Sequence, residues 1–168
     1  MKTIVITGDH PRNLNLLKKL HENNKINIDG LVLFKRENLI PKADINFSAE
    51  IKKLWNLHFE KRYLSEKKFF GTEKIIPNTI SNKLIVNNDN EFNSKKVLDF
   101  VKSINPDACF ISGTPIVKDP IFSALPDYKI NLHLGLIPHY KGSITMFWPF
   151  YFLEPSMAGT TYHVIDKL

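Results

Sequence analysis

Asn131 and His133 stand two residues apart in INLHLGLIPHYKG, residues 130–142, at the point where an alternating apolar run meets a loop rich in turn residues. Successive side chains of a strand point to opposite faces, so the amide and the imidazole share one side while Leu132 packs on the other. An asparagine offers a neutral, fixed hydrogen-bond donor, and a histidine holds or passes a proton near neutral pH. Together they can polarise a carbonyl and stabilise the oxyanion formed when a nucleophile attacks it. Gly135, Pro138 and Gly142 let the following loop run close to a bound ligand. By spacing alone, a strand that merely ends in polar residues fits equally well.

The elements that would position this pair are legible upstream. TIVIT (Thr3 to Thr7) is a β-branched run that stops at Gly8, as a buried parallel strand does. Pro11 suits the first turn of a helix, and Leu14, Leu17 and Leu20 recur at helical spacing. IDGLVLF (Ile28 to Phe34) is the second strand, which gives a β–α–β unit and a right-handed crossover. From Ala49 to Phe70 the pattern is helical, with Ile51, Leu54, Trp55, Phe59 and Tyr63 as an apolar stripe and Gly71 as the stop. His58 and Arg62 on that helix are candidates for an interface or a substrate-side role.

KLIV (Lys83 to Val86) reads as a short strand, followed by a helix from about Ser94 that carries Val97, Val101 and Ile104 on one face. ACFIS (Ala108 to Ser112) and YKINL (Tyr128 to Leu132) are further strands, with a helical turn around Pro120 to Ala124 between them. The pattern predicts a helix from Ile144 to Phe152 despite Pro149, and a last strand in GTTYHVI, Gly159 to Ile165. This order specifies an α/β class with one doubly wound, mostly parallel sheet. Ligands of such sheets bind outside the carboxyl ends of the strands, which is where Asn131 and His133 fall.

Composition narrows the function classes. The 168 residues carry a formal charge of +6, but the lysines are dispersed among Asp and Glu. Small anionic ligands suit that charge at least as well as nucleic acid. No apolar run approaches the roughly 20 residues a bilayer demands, and the single cysteine, Cys109, lies in an apolar strand. A cytoplasmic location, no membrane partner and no disulfide framework are therefore expected. His133, His139, His163 and Asp166 could be assembled into a zinc hydrolase, yet they lack a compact ligand spacing. No G-x-G-x-x-G or Walker loop follows the first strand, which speaks against dinucleotide binding.

The run N-x-H-x-G-L-I-P-x-Y-x-G, from Asn131 to Gly142, resembles the signature of the formyltetrahydrofolate-dependent formyltransferases. That family's usual pattern, N-x-H-x-S/G-L-L-P-x-x-x-G, is met with Ile137 in one leucine position. Gly159-Thr160-Thr161-Tyr162-His163-Val164-Ile165-Asp166 is similar to its G-x-T-x-H-x-x-D strand. Asn105-Pro106-Asp107 and the segment from Gly113 to Val117 resemble the stretch before its folate pocket.

The resemblance implies a Rossmann-like catalytic domain over residues 1–168, with 10-formyltetrahydrofolate as formyl donor and a small-molecule primary amine as acceptor. Asn131 would donate to the formyl oxygen, and His133 would stabilise the oxyanion. Ile116, Val117, Gly142 and Ile165 would line the folate pocket, and no metal is required. The turn Gly8-Asp9-His10-Pro11-Arg12-Asn13 departs from the glycine- and serine-rich phosphate turn of the glycinamide-ribonucleotide enzymes, but Gly8 and Arg12 could still hold an anionic part of the acceptor near the helix N-terminus. GLVLFKREN, HFEKRYLSEKKFFG and FWP are most similar to the branch associated with surface-polysaccharide amino sugars. Glycinamide-ribonucleotide and methionyl-tRNA formylation are the alternatives, the latter needing a further tRNA-binding domain. A homodimer through the long aromatic helix is a further expectation.

One departure bears on activity. The family's last strand continues to a second, catalytic acid, whereas here the first acid matches Asp166 and the sequence ends at Leu168. The expectation is a fragment whose C-terminal part is missing. A formyltransferase-like binding protein without catalysis is the alternative.

Overall fold

In the computed structural model, which describes residues 1–35, 42–71, 75–142 and 145–165, six strands form one sheet in the order β3-β2-β1-β4-β5-β6. β1 (Thr3–Gly8) lies between β2 (Ile28–Phe34) and β4 (Ala108–Ser112), parallel to both. Its six residues are all buried, because a central strand covered on both faces has no side for water. β3 (Lys83–Val86) closes one edge, and β5 (Tyr128–His133) extends the other in parallel. β6 (Thr161–Val164) then pairs antiparallel with β5. The sheet is doubly wound and mostly parallel, as the order of sequence patterns requires.

Alternation divides the core in two. Ile4, Ile6, Val32, Phe34, Cys109 and Ile111 face one way and pack under α4 (Lys95–Ile104) through Val97, Val101 and Ile104. Val5, Leu31 and Leu33 face the other way and meet Leu14 and Leu17 of α1 (Pro11–Glu22). Gly30 sets the approach of α4: a Cβ there would lie 2.9 Å from the Ile104 side chain. Truncating any of the fully buried leucine or isoleucine residues to alanine costs on the order of 2–5 kcal/mol.

Two local readings are corrected, and one short helix is added. α2 (Ala49–Phe70) has the expected bounds but buries no residue: Ile51 and Leu54 face solvent, and only Trp55, Phe59 and Tyr63 of the stripe are half-buried. Its inner side is partly ionic, as described below. The helix expected from Ile144 to Phe152 is reduced to α6 (Trp148–Tyr151), with Ile144 outside the described residues. Pro149 is tolerated only in a first turn, and Leu153 at φ 59° takes the chain out of the helical region. α3 (Asp89–Phe92) was not legible among asparagines; it is capped by Asn88, whose side chain accepts from the Glu91 N–H. α5 (Ile121–Ala124) fills the expected turn, and a 3-10 turn spans Pro155–Met157. No described helix is long and apolar enough to cross a membrane.

The chain order reverses between β1 and β4, so the crevice of the sheet lies at their carboxyl ends. Gly8 and Gly113 meet there: a Cβ on Gly8 would lie 2.5 Å from the Gly113 carbonyl oxygen.

Candidate active site

Register places the chemistry on a row across the sheet. Val32 is opposite Ile6, Ile6 opposite Ile111, Ile111 opposite Asn131, and Asn131 opposite His163. Neighbours in register share a face, so an apolar row over three strands turns polar at β5 and β6. His133 follows Asn131 on that face, roughly 6.6 Å further along the strand, opposite Thr161. Both site residues are half-buried. They therefore combine restricted access to water with access to a ligand.

Each side chain is held by a neighbour. Asn131 Nδ2 lies 3.2 Å from His163 Nε2. An amide nitrogen can only donate, so the imidazole nitrogen accepts and carries no proton in this arrangement. That bond orients the carboxamide and leaves its second N–H for another acceptor. His133 Nε2 is 3.1 Å from the Tyr140 carbonyl oxygen. A carbonyl can only accept, so Nε2 carries the proton and Nδ1 is the nitrogen left for a further task.

The loop after β5 is folded back over the pair. Thr161 Oγ1 donates to the Gly135 carbonyl at 2.7 Å and accepts from the Ile137 N–H at 3.1 Å. The Tyr140 N–H donates to the Leu136 carbonyl at 2.8 Å. Gly135 is obligatory here, because a Cβ would stand 2.4 Å from the Tyr140 carbonyl oxygen and 2.6 Å from the Thr145 Cβ. The Tyr140 phenol donates to the Glu154 carboxylate, which holds the phenol above the ordinary tyrosine range, with burial and the carboxylate's charge adding to the effect.

The four residues expected around a folate ring differ in their surroundings. Ile116 is exposed and lines an open groove of about 470 Å³ with Asp89, Asn90, Asn93, Pro115 and Lys118. Asn93 shapes that groove by donating to the Ile116 carbonyl and accepting from the Lys118 N–H. Val117 and Ile165 are instead half-buried against the core cluster under α4. Gly142 is exposed at φ 104° with open space where a side chain would be. Asp166 lies outside the described residues.

At the first loop, Gly8 is buried, and Asn13 fills the space between it and Gly113. Arg12 is turned to α2: its guanidinium donates to Glu66 at 2.6 Å. Glu66 also meets His10 Nε2 at 2.7 Å and Arg62 Nε at 3.1 Å, so one carboxylate gathers three basic side chains. This knot ties α2 to the start of α1. Its members were visible in the sequence as scattered charges, and only the tertiary fold joins residues 54 positions apart.

The chain matches no family model, and no curated protein matches it. Its likeness is to solved structures. A phosphoribosylglycinamide formyltransferase from Anaplasma phagocytophilum superposes on all of this chain with a TM-score of 0.62 and 15% identity, over 66% of its own length. The fold is that of the formyltransferases. Glycinamide ribonucleotide transformylase 1 from Geobacillus kaustophilus gives a TM-score of 0.58 at 14% identity, over 99% of this chain and 74% of that one. A formyltetrahydrofolate deformylase from Pseudomonas syringae pv. tomato str. DC3000 gives 0.57 at 14% identity, over 98% of this chain and 46% of that one. The chain thus spans about two thirds of the first of these formyltransferases.

Sequence reasoning named Asn131 and His133, weighed His163 only as a zinc ligand, and assigned no role to Thr161, Tyr140 or Glu154. His163 and Thr161 were recoverable in principle, since alternation in an antiparallel partner puts two residues of one strand on the face of Asn131 and His133. Nothing in the sequence pairs Tyr140 with Glu154. Among the described residues, no three His, Cys, Asp or Glu side chains come together as a metal-binding group.

Proposed function

We propose that this chain carries the formyl-transfer centre of a 10-formyltetrahydrofolate-dependent N-formyltransferase, and that its acceptor is the primary amine of an amino sugar, free or nucleotide-linked. The observation that carries the reading is the Asn131–His133 pair on the crevice side of a formyltransferase fold, each side chain already oriented by a hydrogen bond. The second N–H of Asn131 donates to the formyl oxygen. His133, protonated at Nδ1 while Nε2–H stays on the Tyr140 carbonyl, stabilises the same oxygen as it becomes an alkoxide. Donors fixed before the reaction gain the most, because they need not reorganise as charge develops.

The neutral amine attacks the formyl carbon, and a C–N bond forms as the carbonyl π pair moves to oxygen. Collapse expels the folate nitrogen, which takes a proton, and the attacking nitrogen loses one. The product is a formamide. Ile116, Val117, Gly142 and Ile165 are the proposed folate contacts, and Gly8 and Arg12 the proposed acceptor contacts.

Two of the solved structures are named for phosphoribosylglycinamide or glycinamide ribonucleotide chemistry, so that amine is the second acceptor to assay. The test incubates the protein with 10-formyltetrahydrofolate and a panel of amino sugars, nucleotide-linked amino sugars and phosphoribosylglycinamide, and identifies formamides by mass. An amino-sugar formamide that disappears in His133→Ala supports the reading. Formylation of phosphoribosylglycinamide alone moves the acceptor to the second reading. Folate binding with no turnover of any amine overturns catalysis in favour of a binding protein.

A further inference from the structure

We propose that Glu154 is a positioning residue for His133, acting through Tyr140 rather than by contact. The proposal deepens the formyl-transfer reading, on which the role of His133 rests, but its geometry stands without any substrate. The Glu154 carboxylate is placed by its own backbone: its N–H donates to the Pro149 carbonyl at 2.7 Å, and its carbonyl accepts from Met157 at 2.9 Å. An ionised carboxylate can only accept, so the Tyr140 phenol donates to it, and a hydrogen bond with one charged member is among the stronger ones.

That bond fixes one end of Tyr140. The other end is fixed where its N–H donates to Leu136, and the carbonyl between them is the acceptor for His133 Nε2. With both ends held, the carbonyl has little room to swing, and the bare Cα of Gly135 beneath it supplies the clearance it needs. The result is a choice of tautomer. His133 keeps its proton on Nε2, so Nδ1 is the nitrogen presented elsewhere. A carboxylate 14 residues beyond Tyr140 thereby orients a histidine it never touches.

The experiment records long-range ¹H–¹⁵N correlations of the His133 ring in the labelled 168-residue protein, without ligand. The wild type is expected to show predominantly the Nε2–H tautomer. Glu154→Ala and Tyr140→Phe should each lower the ratio of Nε2–H to Nδ1–H by roughly threefold or more, the scale of one lost hydrogen bond. Glu154→Gln keeps an acceptor oxygen and should hold the wild-type ratio. The double variant Glu154→Ala, Tyr140→Phe should fall no further than either single one, since both break the same bond. An unchanged ratio in the single variants, an additive loss in the double, or a fall in Glu154→Gln as deep as in Glu154→Ala overturns the proposal. Both side chains are peripheral, and the backbone amide spectrum reports whether each variant is folded. A protein that transfers no formyl group would still give this answer, so the two readings fail separately.

Discussion

Asn131 and His163 face each other across the β5–β6 pair, with the amide nitrogen 3.2 Å from the ring nitrogen that accepts from it. The carboxamide is therefore oriented before any ligand arrives. Replacing His163 by Phe removes the acceptor while keeping a ring of similar size. Formyl transfer should fall about tenfold in kcat/KM, near the upper end of what one neutral hydrogen bond supplies. His163→Gln, which restores an acceptor, should recover part of the loss in a steady-state assay.

Gly135 supports the same site from the loop. An alanine there puts its methyl 2.4 Å from the Tyr140 carbonyl oxygen and 2.6 Å from Thr145. Neither neighbour can yield without moving the loop. Gly135→Ala should destabilise the protein by about 1–3 kcal/mol in urea denaturation. It should also cost activity out of proportion, because the displaced carbonyl is the one that holds His133.

How much of this was legible depends on the range of the interaction. β1, β2 and α2 were bounded to within a residue because β-branched runs, the helical stripe and the stop at Gly71 act locally. The pair on β5 was legible for the same reason, since alternation alone puts Asn131 and His133 on one face. The inner side of α2 was not: a count of apolar residues favours Ile51 and Leu54, but the helix turns Glu66 and Arg62 toward His10 and Arg12. Ile116 and Val117 differ for a similar reason. They are adjacent in sequence, yet one lines a groove and the other packs on the core.

Glu66 offers a separate test of how α2 is attached. The helix buries no residue, so this knot is a large part of its anchorage to α1. Glu66→Ala leaves the basic side chains of His10, Arg12 and Arg62 without their shared carboxylate. Stability should fall by about 2 kcal/mol, less than for a fully buried pair because the site is partly open to water. Hydrogen exchange should rise across Ala49–Phe70 while β1 and β4 stay protected.

Cys109 should behave as a core residue. Burial pushes its thiol well above the ordinary 9.0, against the opposing charge of Lys129. The folded state therefore keeps the proton when an unfolded chain would lose it. The sign follows: this contribution to stability is complete below the ordinary thiol range and declines as pH rises above it. Native protein should resist iodoacetamide through pH 9, whereas urea-unfolded protein should label readily. Rapid labelling of the native state would contradict the packing of β4.

The most direct measurement is single-turnover formyl transfer, with donor affinity determined in parallel, for the wild type, Asn131→Ala and His133→Ala. If the two side chains hold the reacting oxygen, each variant should bind 10-formyltetrahydrofolate within about threefold of wild type while its transfer step slows by roughly 10²–10³, as for loss of one oxyanion donor. Transfer at the wild-type rate in either variant would contradict the assignment of this pair as the centre of the reaction.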